Sequence, residues 1–402
     1  MKPEHVPIPR HRSATGPAIL SMGFRPFFLL AGLWAAAGLA LSIVAMLGPV
    51  TLPTAFDPVT WHLHEMLFGY VAATLTGFLL TAIPNWTGNL PLQGLPLAGL
   101  ALLWVAGRAA IATSAVIGAE AAAVVDTAFL AAVVALTGRE VIAGRNWRNL
   151  PVIVAVCLFL AGNMLVHAEA YGAIDAGGAG VRLSIAVIVA LIALVGGRIT
   201  PSFTRNWLVK RGENDLPASF GGLDKVALAT TVAALALWIV LPDSNVTAAS
   251  IALAACATAV RLARWRGHAT GAEALVWVLH LGYAWVPVGL GLLALSHWWE
   301  ALPQSAALHA LTVGAVGTMT LAVMSRATMG HTGRDLHAGP ALTIAYPLVS
   351  VAALARIASA LWADAMLPLL WLAAAAWIAA FAIYLVVCGP MLVGRGPHGD
   401  GA

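Results

Sequence analysis

Twelve apolar stretches, each long enough to cross a bilayer, follow one another between residues 24 and 388. A helical crossing needs about 20 consecutive apolar residues. Stretches of that kind lie near 24–47, 61–83, 95–114, 118–137, 150–170 and 181–199, then near 223–241, 247–263, 272–295, 304–325, 340–361 and 367–388. Only 9% of the 402 residues are charged, against about 25% in a soluble domain, and the mean hydropathy is +0.88. The fold class these features predict is all-α: a polytopic membrane protein of twelve helices, with no room for a large soluble domain.

The net charge of +4 needs no nucleic-acid partner, because its placement explains it. With both termini on the cytoplasmic side, all of the 21 Lys and Arg except Arg108, Arg182 and Arg356 fall in cytoplasmic segments or at their helix edges. That bias is the positive-inside pattern that orients membrane proteins. The expected organisation is a polar cytoplasmic tail over 1–22, one twelve-helix domain over 23–390, and a cytoplasmic tail over 391–402. The first tail has no apolar core with a small-residue cleavage site, so it reads as a tail and not a signal peptide. Cys157, Cys256 and Cys388 are odd in number and lie inside apolar spans, which argues against disulfides and thiolate zinc sites.

The second and tenth spans align without a gap over 25 residues at an offset of 245, pairing His64 with His309, Gly69 with Gly314, and Thr87-Gly88 with Thr332-Gly333. The sixth span ends in Pro201-Ser202-Phe203-Thr204, similar to Pro84-Asn85-Trp86-Thr87 at the end of the second. Recurrence at spans 2, 6 and 10 predicts three four-helix units, about 23–149, 150–271 and 272–390, around a pseudo-threefold axis. Compositional coincidence is the competing explanation, and the middle unit is the weakest.

Ionisable groups inside a membrane span mark a pathway, a cofactor or a proton relay, and imidazole is a favoured ligand for haem iron and copper. Trp61-His62-Leu63-His64-Glu65 opens the second span, and His309 lies about six residues into the tenth. The repeat makes His64 and His309 the expected axial pair of a bis-histidine haem near the outer face. His62, about 200° around the helix from His64, is left for a second metal or for orientation by Glu65. His280, in Leu279-His280-Leu281 near the middle of the ninth span, is the candidate for a second metal or gas-binding position. His167 with Glu169 is a weaker candidate. Each of these also has a plain structural reading, as a hydrogen-bonded core or interface histidine. Arg108 and Arg356 occupy similar depths in the third and eleventh spans and would fork the carboxylates of a haem. The alternative for Arg108 is pairing with Glu120 or Asp126. At the cytoplasmic end of the tenth span, Gly330-His331-Thr332-Gly333-Arg334 is explained by a helix-terminating turn, with a proton route or a cytoplasmic metal site as the alternative for His331.

Twelve helices in three arcs, with histidines on the second and tenth, resemble the catalytic subunit of haem-copper oxidases. The chain lacks that family's paired histidines and copper helix, and its sixth span holds no histidine. The closer resemblance, over almost the whole length, is to the NnrS family. It is carried by Gly23-Phe24-Arg25-Pro26-Phe27-Phe28, the Trp61-to-Phe68 and Gly77-to-Gly88 stretches and Gly107-Arg108. The Gly330-to-Arg334 run and His309-Ala310-Leu311 with Gly314 complete it. This resemblance implies a bacterial inner-membrane protein with haem b and copper, surrounded by lipid and made in response to nitric oxide. The leading expectation is an oxidoreductase that reduces nitric oxide to nitrous oxide with electrons from an unidentified donor. His280 and Glu65 would then be its catalytic groups. A nitric oxide sensor or buffer without turnover, and a transporter, are the alternatives.

Overall fold

The computed structural model describes residues 16–48 and 50–396; the outer parts of both predicted tails, 1–15 and 397–402, lie outside the described residues. Twelve helices are long and apolar enough to cross a membrane. They are α1 (Phe24–Leu47), α2 (Pro58–Thr87), α3 (Leu95–Ala112), α4 (Ala119–Ala143), α5 (Trp147–Ala170) and α6 (Ala179–Lys210), followed by α7 (Gly222–Val240), α8 (Asn245–Ala263), α9 (Ala274–Trp298), α10 (Gln304–His331), α11 (Gly339–Leu361) and α12 (Ala363–Val393). They match the twelve expected stretches one for one. Helices satisfy their own backbone, which lipid cannot do for them.

The differences lie at the ends. α2, α6 and α10 run past their apolar stretches through Pro84-Asn85-Trp86-Thr87, through Pro201 to Lys210, and to His331. Hydropathy marks where the apolar residues stop, whereas the backbone hydrogen bonds continue until a residue breaks them. At the end of α2 that residue is Gly88, at φ 78°, whose N–H bonds the Pro84 carbonyl at 2.8 Å. α2 starts at Asp57, whose carboxylate accepts from the Val59 and Thr60 N–H groups, with Pro58 in the first helical position. Partial burial works against the Asp57 charge, but hydrogen bonds from Thr60 and Val59 outweigh it and hold its pKa below the usual carboxylate value.

Helices adjacent in sequence pack side by side, and α1 closes against α12. The Trp377 indole donates to the Ala35 carbonyl at 2.8 Å. Arg25 donates to the carbonyls of Met391, Leu392 and Gly394, occupying acceptors that the end of α12 leaves free. α2 and α10 are the most enclosed spans. They meet through a Tyr70–Thr320 hydrogen bond and through Thr74 to the Met324 sulfur at 3.7 Å. Both contacts join residues 250 apart, so the two helices run parallel.

α2, α6 and α10 each contain a wide, π-helical segment: Glu65–Val71, Ile192–Gly196 and Ala310–Gly317. The first and third begin 245 residues apart, from Glu65 to Ala310, which is the offset of the sequence alignment. Wide turns leave carbonyls without helical partners, and side chains fill the gap. Trp104 donates to the Gly69 carbonyl at 3.1 Å. The fully buried Arg261 donates to the carbonyls of Ala193 at 2.7 Å and Gly197 at 3.3 Å. The aligned glycines have a common cause. A Cβ on Gly69 would sit 2.5 Å from the Trp34 indole, and one on Gly314 would sit 2.5 Å from the Trp285 indole. In each case a tryptophan from the preceding helix lies against the wide turn and leaves no space for a side chain.

Candidate metal centre

The π segment of α2 begins immediately after His64, and the consecutive side chains of His64 and Glu65 both reach one polar cluster between α2, α3, α4 and α5. α3 contributes Arg108, α4 contributes Asp126, and α5 contributes Asn163 and His167. All of them are buried. Asn163 and His167 are four residues apart and therefore share one face of α5.

Asp126 is the hub. Its Oδ2 lies 3.1 Å from His64 Nε2, 3.0 Å from His167 Nε2, and accepts from Asn163 Nδ2 at 2.8 Å. Its Oδ1 accepts from Arg108. The other arm of Arg108 donates to Glu65 Oε1 at 2.8 Å. Glu65 Oε1 also lies 3.1 Å from His64 Nδ1, and Oε2 accepts from the Trp34 indole at 2.7 Å. His64 Nε2 has a further neighbour in Asn163 Oδ1 at 3.1 Å. His167 Nδ1 lies 3.2 Å from the Tyr171 hydroxyl. Burial and the Asp126 charge push the Tyr171 pKa up to about 12, so Tyr171 remains a phenol. Phe56 closes the cluster, with its ring 5.2 Å from His64 and 5.5 Å from His167, and the Phe68 ring packs against His64 at 5.1 Å.

Charge counting shows what this arrangement accepts. Two buried carboxylates face one guanidinium, which leaves one negative charge when both imidazoles are neutral. Uncompensated charge is costly in so dry a place. Protonation of His64, between Glu65 and Asp126, is one remedy; a metal cation is the other. One ligand atom each from His64, Asp126 and His167 lies within 4.8 Å of the others, and this is the one such His/Cys/Asp/Glu group found among the described residues. Two imidazoles and a carboxylate suit a first-row transition metal and leave coordination positions open. Glu65 behind His64 and Tyr171 behind His167 hold the rings from their far nitrogens, as outer partners of metal-ligating histidines do. The donor set fits a resident metal.

The site residues expected from sequence divide into separate places. Arg108 pairs with Glu65 and Asp126, which is the carboxylate alternative and leaves Glu120 exposed and apart. His64 and His309, expected to face each other, have different partners. Both ring nitrogens of His64 are engaged in the cluster, whereas His309 Nδ1 donates to the Ser305 carbonyl at 2.7 Å. His62 is half-buried, and its Nδ1 has no hydrogen-bond partner. Arg356 donates to Ser359 at 3.1 Å. His280 Nε2 bonds the Thr204 hydroxyl at 2.8 Å, and Gly267 lies against its ring. Among the described residues His280 belongs to no metal-binding group. His167 is more central than its sequence setting indicated, and Asn163 was not anticipated at all. The available signal was an i, i+4 polar pair inside the otherwise apolar α5.

Twelve membrane-length helices around a buried two-histidine, one-carboxylate cluster define a polytopic membrane protein with a candidate metal site. The chain belongs to the NnrS family: the family model described as NnrS protein matches residues 18–395, nearly the whole chain. A search of curated proteins returns no match.

Proposed function

We propose that the protein is a metal-dependent component of the nitric oxide response, acting within the bacterial inner membrane with both termini cytoplasmic. Its metal would be held by His64 Nε2, His167 Nε2 and Asp126. Membership of the NnrS family fits a membrane protein of the nitric oxide response. The observation that carries the reading is the convergence of these three donors in a buried cluster with one surplus negative charge. Copper is the proposed ion, because imidazole suits it and the family resemblance implies it. When bound, the metal supplies an open position for a small diatomic ligand. Arg108 holds Asp126 and Glu65 in place through ion pairs, Glu65 and Tyr171 orient the two imidazoles, and Phe56 and Phe68 exclude water. Nitric oxide, being small and nearly apolar, reaches such a site through lipid.

Such a site supports two modes of action. Reduction joins two nitric oxide molecules to nitrous oxide and water, consuming two protons and two electrons, and requires an external electron donor. Binding without turnover consumes neither. One observation favours binding: both carboxylates of the cluster are tied to Arg108, so neither is free to carry protons in this arrangement. The test uses the full chain purified in lipid, with metal content and nitric oxide uptake measured with and without an electron donor. Wild type should carry metal that His64→Ala and His167→Ala lose. Nitrous oxide release with donor establishes the reductase; stoichiometric uptake without release establishes the buffer. Metal content unchanged by both substitutions overturns the reading.

A further inference from the structure

α2, α6 and α10, the three helices with wide turns, also wall a common cavity of about 90 Å³, and α5 contributes Val152 to it. The wall is built from equivalent positions. Leu75 and Phe78 on α2 correspond to Thr320 and Val323 on α10 at the 245-residue offset, and all four line the cavity. The displacement that carries Pro84 onto Pro201 carries the same two residues onto Ile192 and Val195 of α6, which line it as well. A chance gap between helices has no reason to select matching residues from three of them. A space where three similar helices meet does.

The chemistry of the wall limits what can enter. Among the described residues its polar side chains are Thr74 and Thr320, which donate to the Tyr70 carbonyl at 3.1 Å and the Val316 carbonyl at 2.7 Å on their own helices. Thr320 also meets the Tyr70 hydroxyl. A buried water needs about 10–15 Å³ on the same measure and about two to four polar partners. The cavity has room for several waters and no side chain free to hold one. Dry apolar cavities take apolar guests, xenon among them, and this one has room for a few diatomic molecules but not for a lipid chain.

Its position relates it to the metal centre. Along α2 the order is His64, Phe68, Val71, and along α5 it is His167, Phe159, Val152: ligand, ring, cavity wall. The Phe68 and Phe159 rings lie 5.1 Å apart, and Phe68 packs against His64 at the same distance. Two aromatic rings in contact therefore stand between the cavity and the metal ligands, a partition that admits a diatomic gas as the rings shift and stops ions and water. We infer that the cavity is a binding site for small apolar gas molecules, which it concentrates beside the metal centre and passes to it between Phe68 and Phe159. Nitric oxide as the natural guest rests on the function proposed above; the gas site itself does not.

The probe is xenon. Crystals of the full chain are pressurised with the gas, and anomalous diffraction locates it. A peak between Leu75, Ile192 and Thr320 is expected. Val323→Phe, which adds a ring to the wall, should abolish the peak, and Phe78→Ala should strengthen it. In lipid, Val323→Phe should slow nitric oxide capture several-fold at unchanged metal content. Xenon pressure should slow capture by wild type in the same way, an arm that needs no variant and stands if Val323→Phe does not fold. The xenon peak is read without regard to metal, so it still reports on the cavity if His64→Ala and His167→Ala leave metal content unchanged and the metal reading falls. Xenon bound only elsewhere, ordered water or a detergent or lipid chain in the cavity, or capture that neither xenon nor Val323→Phe slows would each overturn the inference.

Discussion

Arg108 on α3 and Asp126 on α4 form a buried ion pair that also joins the guanidinium to Glu65 on α2. Three helices are thereby tied together by charge at a depth where no water competes. Removing one partner of such a pair leaves the other unpaired in a dry site, at a cost of about 3–5 kcal/mol. Asp126→Asn and Arg108→Gln are each expected to destabilise the protein by that order in a denaturant titration in detergent micelles. The double variant should be less damaged than the sum of the two, and strict additivity would mean that the pair is not coupled.

Tyr171→Phe removes only the hydroxyl behind His167. Loss of an outer partner typically lowers metal affinity about 10–100-fold. Competition against a chelator of known affinity should show that weakening with full metal occupancy at excess metal. An affinity equal to wild type would remove Tyr171 from the site.

Gly69→Ala and Gly314→Ala place a methyl group 2.5 Å from the Trp34 and Trp285 indoles. Overpacking of this kind costs about 1–3 kcal/mol. Both substitutions should lower the thermal midpoint of the solubilised protein, and Gly69→Ala should also disturb metal binding, since Trp34 donates to Glu65. A neutral effect at both positions would show that the indoles move aside freely.

Asp57→Ala deletes the cap of α2, with an expected loss of about 0.5–2 kcal/mol. The folded-state pKa of Asp57 is lowered, so its contribution is present above the unfolded carboxylate value of 3.8 and is lost as pH falls through the lower folded value. The difference between wild type and Asp57→Ala should therefore be constant at neutral pH and shrink only in strong acid. A difference that shrinks near pH 6 would point to another group.

The number, order and approximate limits of the helices were legible in the amino-acid sequence, because lipid imposes one requirement on every crossing: about 20 apolar residues with a self-satisfied backbone. The 245-residue offset was legible as well, and it locates two of the three wide turns, since the aligned glycines are needed wherever an indole packs against them. The metal-site partners were only partly legible. Asp126 appeared as one of two partners for Arg108, and His167 as a minor candidate, but no spacing along the chain connects α2 to α5.

What the sequence by itself determined is therefore a twelve-span membrane protein with imidazoles near the mouths of α2 and α10. Which neighbours those imidazoles meet was decided by tertiary packing alone. His62 and His64 project from α2 about 200° apart, and only the rotation of α2 among its neighbours turns His64 toward Asp126 and His167 while His62 takes no part in that cluster. A helical period specifies two faces; the identity of the helix lying against each face is set by how all twelve pack.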